Sequence, residues 1–268
     1  MTLNWAAGNG RLVAGGAALE WACWGPEPGE GPVIVMLHEG LGCVALWRDF
    51  PTRIAAATGL PVLAYSRAGY GQSDAATLPR PVDYMTAEAV DVLPDVLDAI
   101  GPGPVILMGH SDGATIAAEY AGRVADYRVR GLILMAPHFF TEPMGLQEIE
   151  RARQAWETTN LRDRMGKYHA NPEVAFCGWN AAWLNPEFRD WHVGEVIDYL
   201  RIPTLVIQGR DDQYGTLAQV REVEERSYAP VDVVVLVNCR HAPHQDHPDA
   251  VLAAITDYCA RLIRIETA

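Results

Sequence analysis

Val105-Ile106-Leu107-Met108-Gly109-His110-Ser111-Asp112-Gly113 is the stretch that decides how this chain is read. Four apolar residues run into a glycine, and Ala114 to Val124 then carries helix-like apolar spacing. The reading is strand, tight turn, helix, with Ser111 at the apex and a glycine two residues away on each side. A serine hydroxyl is a weak nucleophile unless it is held exposed beside a base. A sharp strand-to-helix turn does the exposing, and small flanking residues let that turn close without clashes. Of Ser66, Ser73, Ser111 and Ser227, only Ser111 stands in this frame. In a chain with 24 glycines the pattern alone is weak, so its surroundings must carry it.

A serine needs a base, and the base needs an orienting carboxylate. Pro203 to Gln208 reads as a buried parallel strand and is followed by Gly209-Arg210-Asp211-Asp212. Val231 to Val237 reads as another, followed by Asn238-Cys239-Arg240-His241. Serine, then Asp211 or Asp212, then His241, each at a strand end, is the order that a strand-borne nucleophile elbow requires.

The rest of the chain supplies the matching scaffold. Residues near 3–24 read as an antiparallel hairpin broken by Gly8, Gly10, Gly15 and Gly16. Strands follow at Val33 to Leu37 and Pro61 to Tyr65, with a helix from about Leu46 to Thr58 between them. Residues near 84–99 look helical, with a bend expected at Pro94. Gly131 to Met135 is a further strand. Strands alternating with helices imply a parallel sheet covered on both faces.

Residues 138–200 break that rhythm and hold no convincing strand. Asn171-Pro172-Glu173 reads as a helix start, with asparagine at the N-cap and proline in the first turn. Trp156, Trp179, Trp183 and Trp191 fall here, with Phe139, Phe140, Phe176 and Phe188. The expectation is a helical cap over residues 138–200, inserted into a core of residues 1–137 and 201–268. Most of its rings should pack the cap itself, and one or two should line a substrate pocket.

Composition narrows the function. With 49% apolar and 21% charged residues in 268, the chain reads as one globular α/β domain with an insertion. There is no apolar run of membrane-spanning length, and Met1-Thr2-Leu3-Asn4-Trp5 lacks the basic start of a signal peptide. Cys23, Cys43, Cys177, Cys239 and Cys259 are odd in number and unpaired in spacing, which fits free thiols in the cytoplasm. A net charge of −13 argues against nucleic acid and anionic membranes as partners. The expected partner is a small-molecule substrate, with a homodimer left open.

These motifs together resemble the α/β-hydrolase superfamily over nearly the whole chain. The resemblance implies a mostly parallel eight-stranded sheet with helices on both faces, a helical cap after the sixth strand, and a Ser-Asp-His triad. Where the family carries His-Gly in the loop after its third strand, this sequence has His38-Glu39-Gly40. Its Asp-x-Arg-Gly-x-Gly-x-Ser segment appears as Ser66-Arg67-Ala68-Gly69-Tyr70-Gly71-Gln72-Ser73, with the leading acid gone. The family's Gly-x-x-Asp segment points to Asp212 as the acid. The implied oxyanion donors are the backbone N–H groups of Asp112 and Gly40.

The implied chemistry is hydrolysis of a small, apolar or aromatic carboxylic ester through an acyl-enzyme on Ser111, with no cofactor. Serine at the elbow argues against dehalogenase or epoxide-hydrolase chemistry, which uses a carboxylate nucleophile. Thioester hydrolysis and carbon–carbon bond hydrolysis in aromatic-ring degradation are the alternatives, and a non-catalytic receptor is a third. Glu39, His110, Phe139, Trp179 and Trp183 are the candidate substrate contacts. Glu39 is expected to turn from the oxyanion towards a basic neighbour, and Arg67 and His38 to tie the loop structurally. His241, His244, His247 and Asp246 cluster like metal ligands, but the elbow explains His241 without a metal.

Overall fold

The apolar runs become the strands of one sheet. The computed structural model describes residues 3–266. Met1 and Thr2, part of the leader reading, and residues 267–268 of the expected core lie outside the described residues. Asn9–Ala14 (β1) and Ala17–Trp24 (β2) form the expected hairpin, turning at Gly15 and Gly16 with positive φ. Val33–Leu37 (β3), Val62–Tyr65 (β4), Val105–His110 (β5), Val129–Met135 (β6), Thr204–Gly209 (β7) and Val231–Leu236 (β8) complete the sheet. Its order is β1-β2-β4-β3-β5-β6-β7-β8. β2 is antiparallel to β1 and β4, and all other pairings are parallel.

The central strands read as unbroken apolar runs because both faces are buried. Val33, Val35, Leu37, Val105, Leu107, Leu132 and Leu134 pack on one face. Ile34, Met36, Ile106, Met108, Ile133 and Met135 pack on the other.

Ten α-helices surround the sheet among the described residues. In chain order they are Phe50–Thr58 (α1), Tyr84–Ala87 (α2), Leu93–Ile100 (α3), Asp112–Arg123 (α4), Pro143–Thr158 (α5), Leu161–Met165 (α6), Pro172–Trp183 (α7), Leu217–Arg226 (α8), Pro243–Asp246 (α9) and Pro248–Glu266 (α10). None is long and apolar enough to cross a membrane. Residues of α1 and α10 cover one face, including Phe50, Ile54, Ile255 and Leu262. The other is covered by α3, α4 and α8, through residues such as Val96, Leu97, Ile116 and Val220.

Two helices differ from their sequence reading, both at prolines. The helix expected from about Leu46 begins instead at Phe50, after a 3-10 turn at Val44–Trp47 and a break at Arg48 with φ 56°. Pro51 then sits in the first turn, where its missing N–H costs nothing. Near Pro94, a π-helical turn at Glu88–Val92 absorbs the missing hydrogen bond, so α3 restarts with Pro94 in its first turn.

Between β6 and β7 lie α5, α6, α7 and two 3-10 turns, with one isolated bridge between Phe140 and His192. Asn171 caps α7 as expected, its side-chain oxygen accepting from the Val174 N–H at 3.1 Å. Trp156 stacks on Phe176 at 4.4 Å, and Phe188 lies 4.5 Å from Trp183 and 5.0 Å from Trp191. Most of these rings therefore pack on one another.

Candidate active site

Strand order reverses between β3 and β5, and the loops leaving their carboxyl ends diverge into a crevice where sites of parallel sheets gather. Ser111 occupies the turn after β5 with φ 54° and ψ −120°. That conformation costs a side-chain-bearing residue about 1–3 kcal/mol, so the surroundings must impose it. They do so by close packing. A Cβ at Gly113 would overlap the carbonyls of Leu37 and His38, and one at Gly109 would overlap Gly113 and Ala114 backbone. The two glycines thus let α4 start directly beneath the end of β3. The Ser111 N–H is pinned to the Met135 carbonyl at 2.9 Å. Asp112 opens α4, so its N–H is among the amides a helix start leaves without an intrahelical partner.

Asp212 follows β7 and is buried; Asp211 is exposed. The Nδ1 of His241, on the loop after β8, lies 2.8 and 3.0 Å from the two carboxylate oxygens of Asp212. Gln208 Nε2 and the Tyr214 N–H donate to the same carboxylate at 2.9 and 2.8 Å. Burial alone would raise the Asp212 pKa, but the charge and hydrogen bond of His241, with the Tyr214 N–H, hold it at about 2. With Nδ1 committed to Asp212, Nε2 is the nitrogen of His241 available to Ser111.

The loop after β3 is held from several sides. His38 Nδ1–H donates to the Glu39 carbonyl at 2.7 Å, and its Nε2 accepts from the Arg67 N–H at 3.1 Å. Burial, then the Arg67 charge, keep this imidazole neutral. Arg67 is buried, donates to the His38 and Glu39 carbonyls, and lies 3.8 Å from the Asp112 carboxylate. It is a structural tie. His169 Nε2–H, from the segment between α6 and α7, donates to the Leu41 carbonyl at 3.2 Å. The Trp179 indole lies so close over Gly40 that any Cβ there would overlap its Nε1 and come within 2.5 Å of its Cδ1.

Glu39 does meet a basic neighbour. Its carboxylate lies 3.6 Å from Nδ1 of His110, whose Nε2–H donates to the His241 carbonyl at 2.7 Å. Burial opposes charge on both side chains. Their mutual attraction outweighs it, holding Glu39 well below the usual carboxylate range and His110 above its ordinary value.

Ser111, His241, Asp112 and Gly40 line one cavity of about 100 Å³. Glu39, Leu41, Glu142, Ile149, Tyr214, His138, Trp179 and Trp183 complete its walls with Gly145. Two expected substrate contacts do not line this cavity. Phe139 is fully buried outside the cavity lining, its N–H donating to Gln219 Oε1 at 2.7 Å. His110 is buried behind the wall, where it joins Glu39 to the His241 loop. Missed in the sequence were Tyr214, whose ring lies 4.7 Å from that of His241, and His138. His138 stands just past the carboxyl end of β6, a position that in a parallel sheet is itself a signal. Among the described residues no cluster of histidine, cysteine and carboxylate could hold a metal.

The family model for the alpha/beta hydrolase family matches residues 34–254. The chain belongs to the alpha/beta hydrolase family. Its fold is close to that of an enol-lactonase from Burkholderia xenovorans, with a TM-score of 0.72, 19% identity, and 94% of this chain and 100% of that one covered. An esterase from Thermogutta terrifontis gives a TM-score of 0.72 at 18% identity, covering 95% of this chain and 98% of that one. Among curated relatives, epoxide hydrolase 3 of Xenopus tropicalis is 23% identical, over 85% of this chain and 71% of the relative. The human (lyso)-N-acylphosphatidylethanolamine lipase is 32% identical, over 49% of this chain and only 37% of the lipase. The family and these relatives speak for a hydrolase.

Proposed function

We propose that this chain is a serine hydrolase that cleaves a small, uncharged carboxylic ester through an acyl-enzyme on Ser111. The observation that carries this reading is the strained elbow of Ser111 sharing one small cavity with His241, whose other nitrogen is held by a buried, ionised Asp212. His241 Nε2 takes the Ser111 proton as the hydroxyl attacks the ester carbonyl. Asp212 fixes the tautomer and stabilises the imidazolium that forms. The Asp112 and Gly40 N–H groups receive the oxyanion. The imidazolium then protonates the leaving alcohol, and water reverses the steps to release the acid.

The segment between β6 and β7 acts as a cap, with Trp179 and Trp183 excluding water from the acyl group. Five free thiols fit a reducing cytoplasm.

Epoxide opening, the activity named for one relative, does not suit this elbow. A carboxylate nucleophile yields an ester that water can cleave, whereas Ser111 would be left as a stable ether. Carbon–carbon cleavage of ring-fission acids is also disfavoured, since no lysine or arginine lines the cavity to receive a substrate carboxylate. The test is fluorophosphonate labelling of the intact protein, followed by mass measurement and turnover of p-nitrophenyl esters of graded chain length. One label on Ser111, absent from Ser111→Ala, is expected. Undiminished labelling of Ser111→Ala would overturn the assignment, and labelling without turnover would favour a receptor.

A further inference from the structure

His138 has a carefully built seat and an unused ring. Its backbone is clamped to the nucleophile-bearing helix: Thr115 Oγ1 donates to the His138 carbonyl at 2.7 Å and accepts from its N–H at 3.3 Å. Its ring lies 5.5 Å from that of His241 and meets Trp183 edge-on at 5.5 Å, with an interplanar angle of 73°. Gly215 packs against the ring, since a Cβ there would come within 3.1 Å of Cε1 and 3.2 Å of Nδ1. Only 4% of the residue is exposed, and the surface it lines is the cavity that holds Ser111.

Yet neither ring nitrogen of His138 bonds to any described residue. Buried polar groups are ordinarily paired, and an imidazole left over in a cavity wall is paired by whatever enters the cavity. Burial, then the neighbouring His241 charge, favour the neutral form, holding His138 at about 3. A neutral imidazole offers one donor and one acceptor. It does not supply the charge that would hold a carboxylate, and the walls contain no lysine or arginine. A ligand atom meets one ring nitrogen at a time, donor or acceptor according to the tautomer, and the group that answers either is a hydroxyl.

Resting on the serine-hydrolase reading, we propose that His138 is a specificity-determining residue that hydrogen-bonds a substrate hydroxyl, making the preferred substrate a hydroxyl-bearing ester. Its ring contact with His241 places that hydroxyl a few bonds from the scissile carbonyl, on either the acyl or the alcohol side.

Two substrate pairs separate those sources. For the acyl side they are p-nitrophenyl 3-hydroxybutyrate against p-nitrophenyl pentanoate, and for the alcohol side 2-hydroxyethyl butyrate against propyl butyrate. The wild type should prefer the hydroxylated member of one pair. His138→Phe should lower that ratio of kcat/KM about tenfold, the discrimination expected from one lost hydrogen bond. His138→Gln, which keeps a donor and an acceptor, should restore most of it and guards against misfolding of the phenylalanine variant. No preference in the wild type would overturn the proposal. So would a ratio unchanged by His138→Phe, or a fall in kcat of equal size for every ester, which would mark a residue that only positions His241. Fluorophosphonate labelling separates the two readings. If Ser111 is labelled while the ratio is unmoved, only the role of His138 fails; if Ser111 is not labelled, the hydrolase reading itself fails.

Discussion

Asp212→Asn is the most demanding test of the candidate triad, because the donors around the carboxylate leave an amide no good orientation. Oδ1 accepts from the Tyr214 N–H at 2.8 Å, and Oδ2 accepts from Gln208 Nε2 at 2.9 Å. Both oxygens lie within reach of His241 Nδ1. An asparagine that keeps its oxygen towards Tyr214 must point its NH₂ at both Gln208 and His241. Gln208 has an unpartnered Oε1 and can turn to receive it, at the cost of its bond to the Gly215 carbonyl. His241 has no such freedom. Nδ1 must become the acceptor, the proton moves to Nε2, and the base can no longer take the Ser111 proton. The expected loss in kcat is about 10⁴-fold, which corresponds to about 5 kcal/mol of transition-state stabilisation. The assay is steady-state hydrolysis of a p-nitrophenyl ester, with rates normalised to folded protein by circular dichroism. Asp211→Asn is the control, and its exposed side chain predicts a change of no more than about twofold. Asp212→Asn retaining a tenth of wild-type kcat, or Asp211→Asn falling further than Asp212→Asn, would refute the reasoning.

Other consequences are open to measurement. The depressed Asp212 pKa contributes about 2 kcal/mol of stability that is complete above the ordinary aspartate value near 4 and is lost as pH falls towards 2; urea unfolding across that window should show a steeper loss for wild type than for Asp212→Asn. Gly40→Ala should force the Trp179 indole away and disturb the oxyanion loop, lowering kcat by about 10²–10³-fold, so near-wild-type kcat would remove Gly40 from the oxyanion site. Glu39→Gln keeps an acceptor facing His110 and should hold kcat for a neutral ester within about threefold. A collapse in kcat there, with KM unchanged, would place the carboxylate in the chemical step.

The parts of the candidate site that are legible in the sequence are those written locally. Ser111, Asp212 and His241 each follow an apolar run by a few residues, and a parallel sheet brings its strand ends together whatever the intervening chain does. Side-chain facing past a strand end is not local. At the exit of β6, Ala136 adopts φ 47°, Thr115 clamps His138, and Gln219 captures the Phe139 N–H. These partners lie far away in the chain, and together they turn His138 to the cavity and Phe139 to the core. Nothing in the run Ala136-Pro137-His138-Phe139 distinguishes the two. His110 escaped in the same way, since its partners Glu39 and the His241 carbonyl come from loops after two other strands. The π-helical turn before Pro94 was hidden because a proline announces that a hydrogen bond is missing, not how the helix will absorb it.

The bond network of His110 has a consequence for how this sequence can change. One imidazole joins the loop after β3, the serine elbow and the backbone of the loop carrying His241. Restoring the family's glycine at position 39 alone would strip His110 of its counter-charge inside the protein. Replacing His110 alone would leave the Glu39 carboxylate in the cavity wall without its counter-charge. The two side chains are in contact, so substitutions at 39 and 110 should be non-additive, each changing the effect of the other. A directed-evolution library that saturates 39 and 110 jointly therefore reaches combinations that randomising either site by itself does not.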